Sequence, residues 1–194
     1  HLHVATRALF DESQNLRFAG AVMDITARKE TEQALRQSES RYQSLFQAMA
    51  ASFWEVDMSR LNTLLRNVGK KGVALRQHFD ENPDFIRELI EAARIVDVND
   101  QTVALFGRGN KQELLETSAI AFWPEESWPV YKEGILSAVA GEEVFSAETR
   151  MRRLDGSLLD VIFTTSNPLE YRRKGQVLVG VIDITARKQA FAKL

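Results

Sequence analysis

The chain has 194 residues, 44% hydrophobic, 27% charged and 9% aromatic, which is enough apolar material for an ordinary globular core; four Pro and ten Gly are too few for a long disordered segment. Lys and Arg number 25 against 27 Asp and Glu, a net charge of -2, so the basic field that a nucleic-acid partner requires is missing. With no cysteine there is no disulfide, thiolate metal site or cysteine nucleophile, and no apolar run reaches the roughly 18 residues of a membrane span.

The chain opens on His1-Leu2-His3-Val4, already in strand-like alternation, with neither an initiator Met nor a signal pattern, and the expectation is a segment of something longer. The strongest internal signal is a repeat. Asp24-Ile25-Thr26-Ala27-Arg28-Lys29 recurs letter for letter as Asp183-Ile184-Thr185-Ala186-Arg187-Lys188. At the same offset Phe18 to Met23 falls on Val177 to Ile182, and Val4-Ala5-Thr6 falls on Phe163-Thr164-Thr165. The repeat therefore spans strand, turn, strand and helix start. It predicts that residues 1 to 24 form a hairpin matching 160 to 183, with a turn near Asp11 to Asn15. In each copy Thr26 or Thr185 is expected to cap the helix, and Asp24 with Arg28, like Asp183 with Arg187, forms an i,i+4 pair.

From Thr26 onward more than twenty residues lack Gly and Pro and place Leu35, Tyr42 and Met49 seven apart, with Leu45 and Phe46 on the same side. This is a short amphipathic stripe, and a parallel homodimer through this N-terminal helix is the expected way of covering it.

Ser52 to Asp57 alternates as a strand, after which Met58, Leu61, Leu65 and Val68 follow helical spacing until Gly69 and Gly72. Pro83 opens a second helix with Phe85, Ile86, Leu89, Ile90 and Ala93 on one face. Arg94 to Val98 is a strand; Asn99 caps a helix from Asp100 to Phe106 that ends at Gly107. Asn110 with Glu113 resembles a capping box, and Pro124 opens a longer helix that Gly141 stops after Ala140. The last third is an antiparallel meander: Val144 to Arg153, a turn at Asp155-Gly156, Ser157 to Ser166, a charged loop at Arg172-Arg173-Lys174-Gly175, and Gln176 to Ile182. The layout is α+β.

VDVNDQTVALFG, KQELLE, the strands around RRLDGSLLDV and the terminal GVIDITARK resemble the PAS sensory domain, over about residues 50 to 188. The resemblance implies a five-stranded antiparallel sheet with flanking helices, here with a helical insertion between the first two strands. It divides the chain into the C-terminal β-hairpin of a preceding PAS domain (1–24), an amphipathic connecting helix (25–50), a PAS domain (51–184) carrying the insertion 58–92, and the start of a signalling helix (185–194).

Phe53, Trp54, Phe106, Phe122, Trp123, Trp128, Phe145 and Phe163 fall on the elements that surround the central cavity of PAS folds. They have two readings, a filled core and a small-molecule pocket, and the second makes Phe53, Phe106, Trp123, Trp128, Phe145 and Phe163 the candidate cavity lining. The cofactor is left open. Haem is disfavoured because the Pro124 to Ala140 helix has no histidine, and a cysteinyl-flavin adduct because there is no cysteine. His1 and His3 make one His-x-His pair without a third ligand, so no metal site is expected; no catalytic triad, H-E-x-x-H motif or phosphate loop occurs, and no catalytic residue is expected.

These features predict a sensory and dimerisation PAS module of a bacterial-type, two-component signalling protein, a sensor histidine kinase in the primary reading. The module is non-catalytic and cytoplasmic, does not insert in a membrane or bind nucleic acid, and passes a signal to a C-terminal effector of the same chain. Asp24, Thr26 and Arg28, with Asp183, Thr185 and Arg187, are the candidate signal junctions. The alternatives are a ligand-free structural spacer and dimer interface, and a PAS module of a diguanylate cyclase or phosphodiesterase.

Overall fold

The computed structural model describes residues 1–10, 16–49, 51–70 and 74–191, with side chains placed for all of these except 7–10, 16–22, 43 and 48. The chain separates into two compact units, residues 1–45 and 46–194.

In the first unit, β1 (Leu2–Phe10) pairs antiparallel with β2 (Leu16–Asp24) in one unbroken register, Leu2 opposite Asp24 and Phe10 opposite Leu16. The expected turn at Asp11 to Asn15 lies outside the described residues. The strand pair is followed by α1 (Thr26–Ala48). Its early turns are polar and carry an i,i+4 Glu32–Arg36 ion pair at 2.6 Å, while Leu35 is 58% and Tyr42 45% exposed.

The second unit is built on one antiparallel sheet. Its strands are β3 (Ser52–Asp57), β4 (Arg94–Val98), β5 (Val144–Arg152), β6 (Leu158–Ser166) and β7 (Gln176–Asp183), in the order β4-β3-β7-β6-β5. The period-2 pattern read from the sequence is visible as burial: Ser52, Trp54 and Val56 are inside and Phe53, Glu55 and Asp57 are less so. The same alternation puts Met151, Leu159, Val161, Phe163, Val177, Val179 and Val181 on the covered face.

Between β3 and β4 the insertion forms α2 (Ser59–Lys70), α3 (Leu75–Glu81) and α4 (Phe85–Ala92). Of these three, α4 is the most apolar, with Phe85, Ile86, Leu89 and Ile90 buried. After β4 come α5 (Asp100–Phe106), α6 (Lys111–Glu116), two short 3-10 turns at Ala119–Phe122 and Glu125–Ser127, and α7 (Trp128–Ala140). The fold is thus the expected α+β arrangement of five strands with flanking helices and an inserted helical segment.

Several boundaries differ from the sequence reading. The long helix begins at Trp128 because Pro129, in its first turn, fits there without losing a hydrogen bond, while Pro124 starts the separate 3-10 turn. The charged stretch before β7 is a short helix, α8 (Leu169–Lys174), closed by Gly175 at φ +69°. The Asn110 side chain accepts from the Gln112 N–H (2.9 Å). Helix α3 had no expectation; only Phe79 of its residues is buried, too weak a periodicity to read.

Asn99, with 0% exposure, joins the parts of this unit. Its Oδ1 accepts from the backbone N–H groups of Thr102 and Phe53, each at 3.0 Å, so it caps α5 as expected and also ties β3. Its Nδ2 donates to the carbonyls of Ala51 (2.9 Å) and Phe46 (3.2 Å), the latter in the last turn of α1. Beside it, the hydroxyls of Thr102 and Ser52 lie 2.8 Å apart, and Trp54 Nε1 donates to Ser52 Oγ at 3.0 Å. Replacing Asn99 with Ala leaves two N–H groups and two carbonyls without these partners. Asn99→Ala is expected to lower unfolding free energy by about 3 kcal/mol, read as an earlier urea midpoint at unchanged slope.

Candidate functional site

Between the covered face of the sheet and helices α2 and α7 lies a cavity of about 490 Å³. A volume of this order holds a drug-sized molecule. The sheet contributes Trp54, Val56, Phe145, Met151, Phe163 and Val179; α2 contributes Leu61 and Leu65; α7 contributes Tyr131 and Ile135; and the turn before α7 adds Phe122 and Trp123. The walls hold their shape through edge-to-face aromatic pairs. Trp54 meets Phe122 at 5.0 Å and Phe106 at 5.1 Å, and Trp123 meets both Tyr131 and Phe163 at 4.9 Å. Burial pushes the Tyr131 phenol well above its ordinary range, so it stays neutral throughout physiological pH.

Of the six residues expected to line a cavity, Trp123, Phe145 and Phe163 do so. The other three lie outside the lining. Phe53 is one residue out of phase, on the opposite face of β3, where its ring lies 6.5 Å from Phe46, and its neighbour Trp54 takes the inward place. Phe106 is fully buried behind Trp54 and Phe122, in solid core. Trp128 donates from Nε1 to the Trp123 carbonyl at 3.2 Å, with the Arg87 guanidinium 5.5 Å above its ring. Leu61 and Leu65, visible in the sequence as one face of a helix, are the unexpected walls: the insertion itself covers the site.

The two candidate junctions have the same local chemistry. Asp183 Oδ1 accepts from the Thr185 N–H at 2.8 Å, and Asp24 Oδ1 accepts from the Thr26 N–H at 2.9 Å. Hydrogen bonding with the Thr26 side chain, and then with its backbone N–H, holds the Asp24 carboxyl below the usual carboxylate range. Ile184 N–H donates to the Asp160 carbonyl at 2.9 Å, and Ile25 N–H to the His1 carbonyl at 2.8 Å. The pairings also match: Val161 faces Asp183 and Phe163 faces Val181, as Leu2 faces Asp24 and Val4 faces Val22.

The threonines are not the helix caps. Thr185 Oγ1 accepts from the Asp160 backbone N–H at 3.0 Å, and Thr26 Oγ1 from the main-chain nitrogen of His1, so each hydroxyl turns back to the neighbouring strand while the aspartate takes the helix N–H. Among the described residues no Asp24–Arg28 or Asp183–Arg187 ion pair forms; Asp183 lies instead 3.8 Å from Arg153. The carboxylate that bonds the helix end is drawn back from the side chain one turn on.

The second copy adds an anchor. Helix α9 (Thr185–Phe191) sets Lys188 Nζ 3.0 Å from Glu148 on β5 and 3.4 Å from Asp160 on β6. The hydrogen bond to Glu148 raises the lysine pKa above its ordinary value. In the first copy His1 occupies the place of Asp160. Among the described residues no group of three or more His, Cys, Asp or Glu is placed to hold a metal ion, and no helix is long and apolar enough to cross a membrane.

Strand order, inserted helices and hollow core together define a PAS fold. Solved structures share it: a PAS domain from Colwellia psychrerythraea superposes with a TM-score of 0.51 at 14% identity, covering 76% of this chain and 97% of that one. RsLOV D109G superposes at 0.50 with 12% identity, covering 76% and 68%. In sequence, sporulation kinase A of Bacillus subtilis (strain 168) is 30% identical over 96 residues, which are 50% of this chain and 16% of the kinase. No family model matches the chain.

The Lys188 contacts predict a measurable hold on α9. A lysine whose folded pKa is raised contributes below its unfolded value of about 10.4 and loses that contribution as pH rises through the folded value, so the anchor is intact at neutral pH. Lys188→Met is expected to speed hydrogen exchange of the α9 amides roughly two- to fivefold at pH 7 and leave β6 protection unchanged.

Proposed function

We propose that the chain is a sensory and dimerisation module of a multidomain signal-transduction protein, a sensor histidine kinase, in which the state of the cavity is relayed through Asp183, Ile184 and Thr185 to a C-terminal effector. The observation that carries this reading is the direct path from wall to exit. Val179 lines the cavity on β7, and the same strand runs through Asp183 into α9, whose first turn is held by a few polar contacts at the ends of β6 and β7. A ligand that favours one position of β7 would bias where α9 starts, which is the two-state element such a relay needs. The partial similarity to sporulation kinase A supports a kinase parent.

In this reading residues 1–24 are the last hairpin of another PAS domain, 25–50 connect it, 51–184 form the sensor with its insertion at 58–92, and 185–194 begin the helix that enters the effector. The identical registers and junction bonds of the two copies support the assignment of the first hairpin. Parallel pairing of α1 through Leu35, Tyr42, Leu45 and Met49 makes the module a homodimer; Leu35 and Leu45, 58% and 56% exposed, support it. The module works in the cytoplasm, does no chemistry itself and engages neither membrane nor nucleic acid.

The test uses the full-length parent. Changing Asp183 and Thr185 together to Ala removes the helix-end bond and the tie to Asp160, at a cost of about 1 to 2 kcal/mol. Signal-dependent output should change while circular dichroism of the module stays native. Unaltered regulation with native folding would favour the structural-spacer reading.

A further inference from the structure

On α7, Tyr131, Gly134, Ile135 and Ala138 stand at i, i+3, i+4 and i+7, one face of the helix, and all four line the cavity. Tyr131 is the polar member of that face. Trp123, in the turn before the helix, lines the cavity beside it, the two rings edge to face with centroids 4.9 Å apart. Both are buried, Tyr131 to 8% exposure and Trp123 to 5%.

A buried tyrosine hydroxyl or indole N–H ordinarily finds a hydrogen-bond partner. Two of the three tryptophans follow the rule: Trp54 Nε1 donates to Ser52 Oγ at 3.0 Å, and Trp128 Nε1 to the Trp123 carbonyl at 3.2 Å. Among the described residues neither the Trp123 N–H nor the Tyr131 hydroxyl has one. Nor are these two groups sealed in, since the side-chain atoms that lack both a partner and accessible surface are, among the described residues, Arg153 Nε and Asn167 Oδ1. Two donors on touching rings thus keep free surface in a wall of the cavity. An indole N–H can only donate, and a phenol that burial keeps protonated has a proton to give, so this stretch of wall lacks an acceptor. The side chains around it, Phe122, Ile135 and Phe163, offer none.

We propose that the cavity takes an apolar carbonyl compound, its body among the aromatic and aliphatic walls and its carbonyl oxygen accepting from the Tyr131 hydroxyl, with the Trp123 N–H as the second donor of that wall. The hydroxyl selects the carbonyl over a hydrocarbon of the same shape, because a carbonyl buried without a donor loses the bonds it made to water. The assignment rests on the sensory reading of the cavity and names the class of molecule sensed.

The probe is 2-acetylnaphthalene, and its control is 2-isopropenylnaphthalene, the same shape with a methylene group in place of the carbonyl oxygen. Both are titrated into the whole chain and followed by saturable quenching of tryptophan fluorescence, since Trp54 and Trp123 line the cavity. The variant is Tyr131→Phe, which keeps the ring and removes the oxygen. That hydroxyl has no partner in the free protein, so the urea midpoint of the variant should not fall. Its affinity for the ketone should drop about tenfold while its affinity for the hydrocarbon stays within about twofold. Comparing variant with wild type for each probe cancels the different hydration of the two compounds. An equal response of both probes to Tyr131→Phe, or a lowered urea midpoint, overturns the carbonyl assignment; a hydrocarbon that binds leaves the ligand-binding cavity, and with it the sensory reading, standing. Binding of neither probe also overturns the assignment, and xenon then separates the two claims: entry of xenon leaves the sensory reading standing, whereas a core closed to xenon removes that reading as well.

Discussion

Three elements meet on the side chain of Asn99: the last turn of α1 through the Phe46 carbonyl and the start of β3 through Ala51 and Phe53, consecutive in the chain, are tied to the first turn of α5, which Asn99 caps through Thr102. Each bond satisfies a backbone group that would otherwise be buried unpaired, so the three elements are held in one geometry or all lose a partner. Gln47 adds to the knot by accepting from the Asp100 N–H at 2.8 Å. Through Thr102 and Ser52 the knot also reaches the indole N–H of Trp54, whose ring is a wall of the cavity. The end of α1 and a wall of the cavity are thus parts of one hydrogen-bonded cluster. A smaller cluster lies at the same end of the sheet, where β3 starts and β7 ends: Asp160, Thr185 and Lys188 fix where the last strand becomes a helix.

A hollow core needs rigid walls, since apolar side chains that can relax close the space. The rings of Trp123, Tyr131 and Phe163 lock one another edge to face, and Trp54 is clamped between Phe106 and Phe122 and held at its polar end by Ser52. Gly134 faces Phe145 so closely that an added Cβ would stand 3.3 Å from the ring. A side chain there would require the Phe145 ring to give way by a few tenths of an ångström. Of the inserted helices α2 lines the space, through Leu61 and Leu65, and packs behind on α4.

Much of this was legible from local rules. The alternation of β3, the Asn99 cap, the stop of α7 at Gly141 with φ +94° and the turn at Gly156 with φ +88° follow from residue type and spacing alone. The repeat foretold two strand pairs in the same register because the six identical junction residues fix the offset and the strands before them keep it without gaps. What escaped depends on phase and on distant contacts. Phe53 and Trp54 are adjacent aromatics, and only the paired strands decide which faces inward. Phe106 and Phe122 look alike in sequence, yet one is packed solid and the other borders the cavity. The threonine of the repeat reads as a helix cap because nothing local reveals the Asp160 backbone, 25 residues away, that claims its hydroxyl.

Whether the core is hollow decides the account, because a sensor needs room that a packed spacer lacks. Xenon enters apolar cavities without regard to ligand chemistry. With the three tryptophans labelled as 5-fluorotryptophan, fluorine NMR under xenon pressure reads each one separately. Trp54 and Trp123, on the cavity wall, should shift in a saturable way, and Trp128, outside the lining, should move less. Three resonances that stay fixed across the pressure range would mean a filled core and would contradict the account.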